Sequence, residues 1–66
     1  MAKRYPIREQ RKAETRQKLI NAARELFLEK GYEATTLEGI AAKAGLHAQT
    51  LYRHFSSKVE LAAAGD

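Results

Sequence analysis

The sequence predicts an all-α fold: a three-helix bundle followed by the start of a fourth helix. Three observations carry this. Apolar residues recur at helical spacing in short blocks, and glycines and hydroxyl caps stand between the blocks. Val and Ile together number only four in 66 residues, too few to furnish strands. The 44% hydrophobic content includes 12 alanines, which leaves 17 bulky side chains. A core that thin suits short helices crossing closely over Ala. A substrate cavity would take most of it away, so an enzyme is not expected.

The chain divides into three parts. Residues 1–12 hold the only proline, Pro6, show no apolar periodicity and read as a mobile basic arm. Residues 13–57 form the folded domain, and residues 58–66 the start of a connecting fourth helix. From about Ala13 to Lys30, Leu19, Ile20, Ala23, Leu26 and Phe27 fall on one stripe of a helix, with Arg16, Lys18, Arg24, Glu25 and Glu29 opposite. Gly31 ends that helix, and Tyr32 folds back onto its end as part of the core.

The second helix begins at Thr35, which makes a capping box with Glu38, or at Thr36. Its inward side is Leu37, Ile40, Ala41 and Ala44, and Gly45 closes it. The third runs over about 47–55, with Leu51 and Phe55 inward and part of Tyr52 with them. Ser57 and Glu60 make a further capping box that opens the fourth helix with Val59 and Leu61. A helix this short is marginal alone and reads as the beginning of a longer element.

Charge is distributed unevenly. Residues 1–18 carry seven bases and two acids, a net +5; residues 19–66 carry five bases and six acids, a net −1. That asymmetry points to a polyanionic partner for the arm. Lys3, Arg4 and Arg8, with Arg11 and Lys12, either reach a minor groove or phosphates or stay free of contact. The chain has no cysteine, so disulfides and thiolate chemistry are excluded. His47 and His54 have no third ligand nearby in sequence, so neither a metal nor a cofactor is expected. No apolar run approaches the roughly 18 residues that span a bilayer, and no signal segment follows the N-terminus, so a cytoplasmic protein is expected.

Two short helices joined at Gly45 and braced by a longer first helix make a helix-turn-helix, of the homeodomain-like kind. Gly45 takes an unusual backbone angle, Ala41 and Ala44 stay small where helices cross, Leu46 anchors the turn and Leu51 pins the second helix of the pair. The outward face is then Ala48, Gln49, Thr50, Arg53 and His54. Ala48 and Thr50 offer methyls to thymine, and Gln49 matches adenine. Arg53 matches guanine bidentately or clamps a phosphate. Thr36, Tyr52, His54 and Lys58 are candidates for phosphate contacts, which fix register without reading sequence. Tyr52 is as well suited to core packing by its ring.

The stretch from Leu19 to Leu61, with Ala23, Leu26-Phe27, Gly31-Tyr32, Thr35-Thr36, Ile40-Ala41, Ala44-Gly45-Leu46, Thr50-Leu51-Tyr52, His54-Phe55, Ser57-Lys58 and Leu61, resembles the DNA-binding domain of the TetR (tetracycline-repressor-like) family of bacterial transcriptional regulators. The resemblance covers about two thirds of the chain. It implies a double-stranded, near-palindromic operator, a homodimer in the full-length protein, and repression relieved by a small-molecule effector bound in a larger C-terminal domain. It also implies base readout by Gln49, Thr50 and Arg53. Two positions depart from the family pattern. His47 stands where Ser is common, weakening the cap, and Gly39 stands where a side chain such as Asp is common, loosening the second helix. The rival from another class is a small helical interaction module or a membrane-surface segment led by the basic arm. Glycines and caps interrupt the apolar stripes, which favours the compact fold.

Overall fold

The computed structural model describes the backbone of residues 7–65 and the side chains of residues 11–65. Lys3 and Arg4 lie outside the described residues, as does the side chain of Arg8. Four helices follow in order: α1 (Ile7–Lys30), α2 (Leu37–Lys43), α3 (Ala48–His54) and α4 (Lys58–Ala64). The long α1 packs against each of the other three, and α2 packs on α3.

α1 starts six residues before the helix expected from Ala13, so residues 7–12, read above as arm, are helical. Arg8, Glu9, Gln10, Arg11 and Lys12 are strong helix formers that follow Pro6 and Ile7 in the sequence. They carry no apolar side chain that would reveal a helical phase, which is why periodicity passes over them. The buried stripe itself begins at Leu19 and continues through Ile20, Ala22, Ala23 and Leu26. Gly31 ends the helix at φ +92°, and the Tyr32 ring lies 5.2 Å from that of Phe27. Tyr32 therefore folds back as expected, but at 38% exposure it covers the core's edge rather than entering it.

The two threonines divide the labour at the start of α2. Thr36 is the N-cap, its Oγ1 accepting from the Gly39 N–H at 3.0 Å. Thr35 is buried and donates its hydroxyl to the Gly31 carbonyl at 2.8 Å. The Thr35–Glu38 box is thus not formed: tertiary packing takes Thr35 inward and leaves the cap to its neighbour. Ile40 and Ala41 bury against α1 and α3. Lys43 reaches Glu25 at 3.4 Å and Glu29 at 3.9 Å, a surface tie to α1 that contributes little.

The turn after α2 is a Schellman motif. Ala44 caps the helix, the Gly45 N–H donates to the Ala42 carbonyl, and the Leu46 N–H donates to the Ala41 carbonyl at 2.8 Å. Gly45 sits at φ +76°, where a side chain is strained. Nothing lies within 4 Å of a Cβ built there, so the cost of a substitution is purely conformational. Gly45→Ala is expected to lower stability by about 1–2 kcal/mol. Gly45→Asn should lose less, because Asn tolerates this region. Equal melting temperatures for all three chains would contradict the assignment.

Leu51, at 0% exposure, and Phe55, at 2%, hold α3 from below. Tyr52, by contrast, is 48% exposed and belongs to the surface. Ser57 caps α4 by accepting from the Glu60 N–H at 3.2 Å. The Glu60 carboxylate reaches one residue further back than a capping box requires, accepting from the N–H and the hydroxyl of Ser56. Leu61 buries fully while Val59 stays exposed.

Candidate nucleic-acid interface

α3 is a two-turn helix whose orientation is set from both ends. The Schellman turn aims its start, and Leu51 with Phe55 seats its underside. Its N-cap, His47, makes no side-chain capping bond, in keeping with the expectation from its side chain. Because Leu51 and Phe55 face inward, Gln49 and Arg53 face solvent, and Ala48, Thr50 and His54 are half-buried beside them. Of the four residues expected to read bases, Gln49 and Arg53 are exposed together with Thr50 partly exposed beside them, while Ala48, three residues before Leu51, is half-buried at the edge of the inward side.

The four residues expected to meet phosphates fall in three places. Thr36 is exposed at the start of α2; its oxygen accepts the cap bond, which leaves its O–H free to donate outward. Tyr52 donates its hydroxyl to the Glu38 carboxylate at 2.9 Å, joining α3 to α2. The Glu38 pKa is held below the usual carboxylate range by its own backbone N–H and by Tyr52, while that of Tyr52 is raised by the same bond. Glu38 thus puts a carboxylate beside one prospective phosphate donor. Lys58 donates to the Tyr32 carbonyl at 2.7 Å and lies 4.4 Å over its ring. An ammonium has three donors, so this bond leaves Lys58 two for an anion.

His54 stands in the third place, a hollow between the first half of α1 and the outer side of α3. Lys12, Ala13, Arg16, Arg53 and His54 line one part of it; Arg11, Thr15 and Thr50 extend it. Sequence reading missed this cluster because it assigned Arg11 and Lys12 to the arm and Arg16 to a solvent face. The signal was nonetheless there: Lys12 and Arg16 are four residues apart, which puts them on one side of a helix once residues 7–12 are helical. Arg16 also places its guanidinium 4.7 Å over the Phe55 ring.

Burial lowers the His54 pKa from its ordinary value near 6.5, and Lys12, Arg16 and Arg53 lower it further. The sign follows directly. The folded domain favours neutral His54, so this contribution is present above pH 6.5 and is lost as acid protonates the unfolded state first. Thermal melts are expected to show lower stability at pH 5.5 than at pH 7.5, and His54→Gln should reduce that difference. An identical pH dependence in the two chains would contradict the reading.

No helix among the described residues is long and apolar enough to cross a membrane, and none of their His, Asp and Glu side chains gather in groups of three that could hold a metal ion. Residues 19–64 match the family model described as bacterial regulatory proteins, tetR family. The chain is 48% identical over 56 residues to the HTH-type transcriptional regulator TcmR of Streptomyces glaucescens, which covers 85% of this chain and 25% of that protein. It is 48% identical over 48 residues to the HTH-type transcriptional activator FasR of Mycolicibacterium smegmatis, covering 73% and 22%. It is 44% identical over 50 residues to the transposon Tn10 TetC protein of Escherichia coli, covering 76% and 25%. The chain thus spans about a quarter of the length of these relatives.

Proposed function

The chain belongs to the tetR family of bacterial regulatory proteins, and on that premise we propose that it binds operator DNA by laying α3 in the major groove. The observation that carries this reading is the two-sidedness of α3. Leu51 and Phe55 anchor it from beneath, and Gln49, Thr50 and Arg53 stand outward at i, i+1 and i+4 with Ala48 beside them. Gln49 reads adenine, Thr50 and Ala48 meet thymine methyls, and Arg53 pairs with guanine. Thr36, Tyr52, His54 and Lys58 supply phosphate contacts that set the register of the helix in the groove.

In the whole regulator, two copies sit on a near-palindromic operator, and α4 is the start of the connection to a dimerising, effector-binding remainder. Repression is the direction of control that the family resemblance implies; one relative is named an activator. A membrane-surface role is disfavoured by the placement of the apolar stripe: Leu19, Ile20, Ala23 and Leu26 are buried against the other helices and unavailable to lipid.

Affinity in this reading is dominated by counterion release. Anisotropy of a labelled duplex, titrated at rising salt, should show log K falling linearly with log salt. With about four to six phosphates engaged per domain the slope is about −4 to −5. A flat salt profile contradicts the proposal.

A further inference from the structure

The hollow between α1 and α3 gathers Arg11, Lys12 and Arg16 from one helix and Arg53 and His54 from the other. Among the described residues, no acidic side chain lines it. Like charges held together repel, and the repulsion is expressed on the spot: Lys12, Arg16 and Arg53 each push His54 toward its neutral form. What compensation exists is indirect. Arg16 rests over the Phe55 ring, and its field reaches Glu60, whose carboxylate is already committed to Ser56. Lys43 forms the ion pairs found among the described residues, and it lies on α2 rather than in this cluster. A surface group of cations with no acidic side chain beside it among the described residues attracts an anion.

The position of the hollow selects the anion. Thr50 and Arg53 belong both to its wall and to the outward surface of α3. An α-helix with side chains is about 10–12 Å across and the major groove is about 12 Å wide, so phosphate rows run along both flanks of a docked helix. Cations set beside α3, rather than in front of it, meet a phosphate row and not base edges.

We propose that the α1–α3 hollow seats a phosphate of the DNA backbone, with Lys12 and Arg16 as its principal ligands and His54 closing the site. This rests on the operator-binding reading and adds α1 to the interface as a sequence-independent clamp. It gives the basic excess of the N-terminal segment a structural role beside the reading helix. His54 becomes a better donor as the phosphate arrives, because the added negative charge offsets the field of Lys12, Arg16 and Arg53.

The test uses the 66-residue chain, Lys12→Gln, and Lys30→Gln as a charge-matched control. Lys30 is exposed at the far end of α1, outside the hollow. Circular dichroism checks that all three fold. Anisotropy then follows binding to a preferred and a scrambled duplex across salt. Lys12→Gln is expected to weaken both duplexes by the same factor and to make the salt slope shallower by about 0.9, the loss of one phosphate contact. Lys30→Gln should leave the slope unchanged. A wild-type chain that binds duplex while Lys12→Gln keeps its slope overturns the clamp and leaves the operator reading standing. A wild-type chain that binds no duplex overturns the operator reading and the DNA form of the site together. In that case, titration with inorganic phosphate followed by the His54 ring resonances decides whether the hollow holds free anions. Unmoved resonances would end the site altogether.

Discussion

Leu51→Ala is expected to remove most of the domain's stability. Leu51 is completely buried beneath α3 and belongs to a core of ten buried apolar residues among those described, three of them alanine. Truncating a buried leucine costs about 2–5 kcal/mol, since the lost transfer energy is joined by a cavity that short helices cannot close. A domain of this size has about 3–5 kcal/mol to lose. The melting temperature should fall by at least about 10 °C, or the cooperative transition should vanish. Leu51→Met keeps the volume and should cost less than about 1.5 kcal/mol. A drop of only a few degrees for Leu51→Ala would mean that Leu51 does not seat α3.

Gln49→Ala and Arg53→Ala should change what the domain prefers rather than whether it folds. Both side chains face solvent, so removing them leaves the core intact. Each bidentate base contact discriminates by about 1–3 kcal/mol, so each variant should lose roughly fivefold or more of its preference at one base pair. Arg53 also lines the α1–α3 hollow, and its loss should weaken all duplexes in addition. Lys58→Ala makes the contrast. It should weaken every duplex alike, since the proposed role of its ammonium is to meet phosphate from the start of α4. Competition binding with single-base variants of a preferred duplex measures all three. Uniform losses on every sequence for Gln49→Ala and Arg53→Ala alike would contradict the assignment of the outward surface.

Most of the fold was legible because its signals are local. Gly31 and Gly45 mark the two turns that need a positive φ, and the stripe from Leu19 to Leu26 sets the phase of α1. The Ser57 cap and the outward set on α3 follow from the same short-range rules. What escaped depended on contacts distant in sequence, or on stretches without apolar phase. Thr35 and Thr36 are equivalent as caps until packing draws Thr35 to the Gly31 carbonyl. The Tyr52–Glu38 bond spans 14 residues and the Lys58–Tyr32 bond 26, so no window along the chain reveals them. The first two turns of α1 are entirely polar apart from Ile7 and Ala13, and without their helical form Lys12 and Arg16 do not align beside α3.

These omissions alter the picture of the interface. Composition credits polyanion binding to the N-terminal segment, motif reading credits it to α3, and the fold places the two side by side. The proposed mode of recognition then has a division of labour: outward residues of α3 would choose the sequence, while cations on α1, α3 and α4 would hold the backbone. Glu38 moderates that attraction where Tyr52 meets it.

The central claim is that α3 reads base sequence in the major groove. Selection of bound duplexes from a random pool, carried out with the wild-type chain and with Gln49→Ala, tests it most directly. The wild type is expected to enrich a short half-site, and the variant to lose preference at one base pair, normally adenine-containing. Retention of duplexes without any enriched motif, at the same salt where binding is measurable, would contradict it.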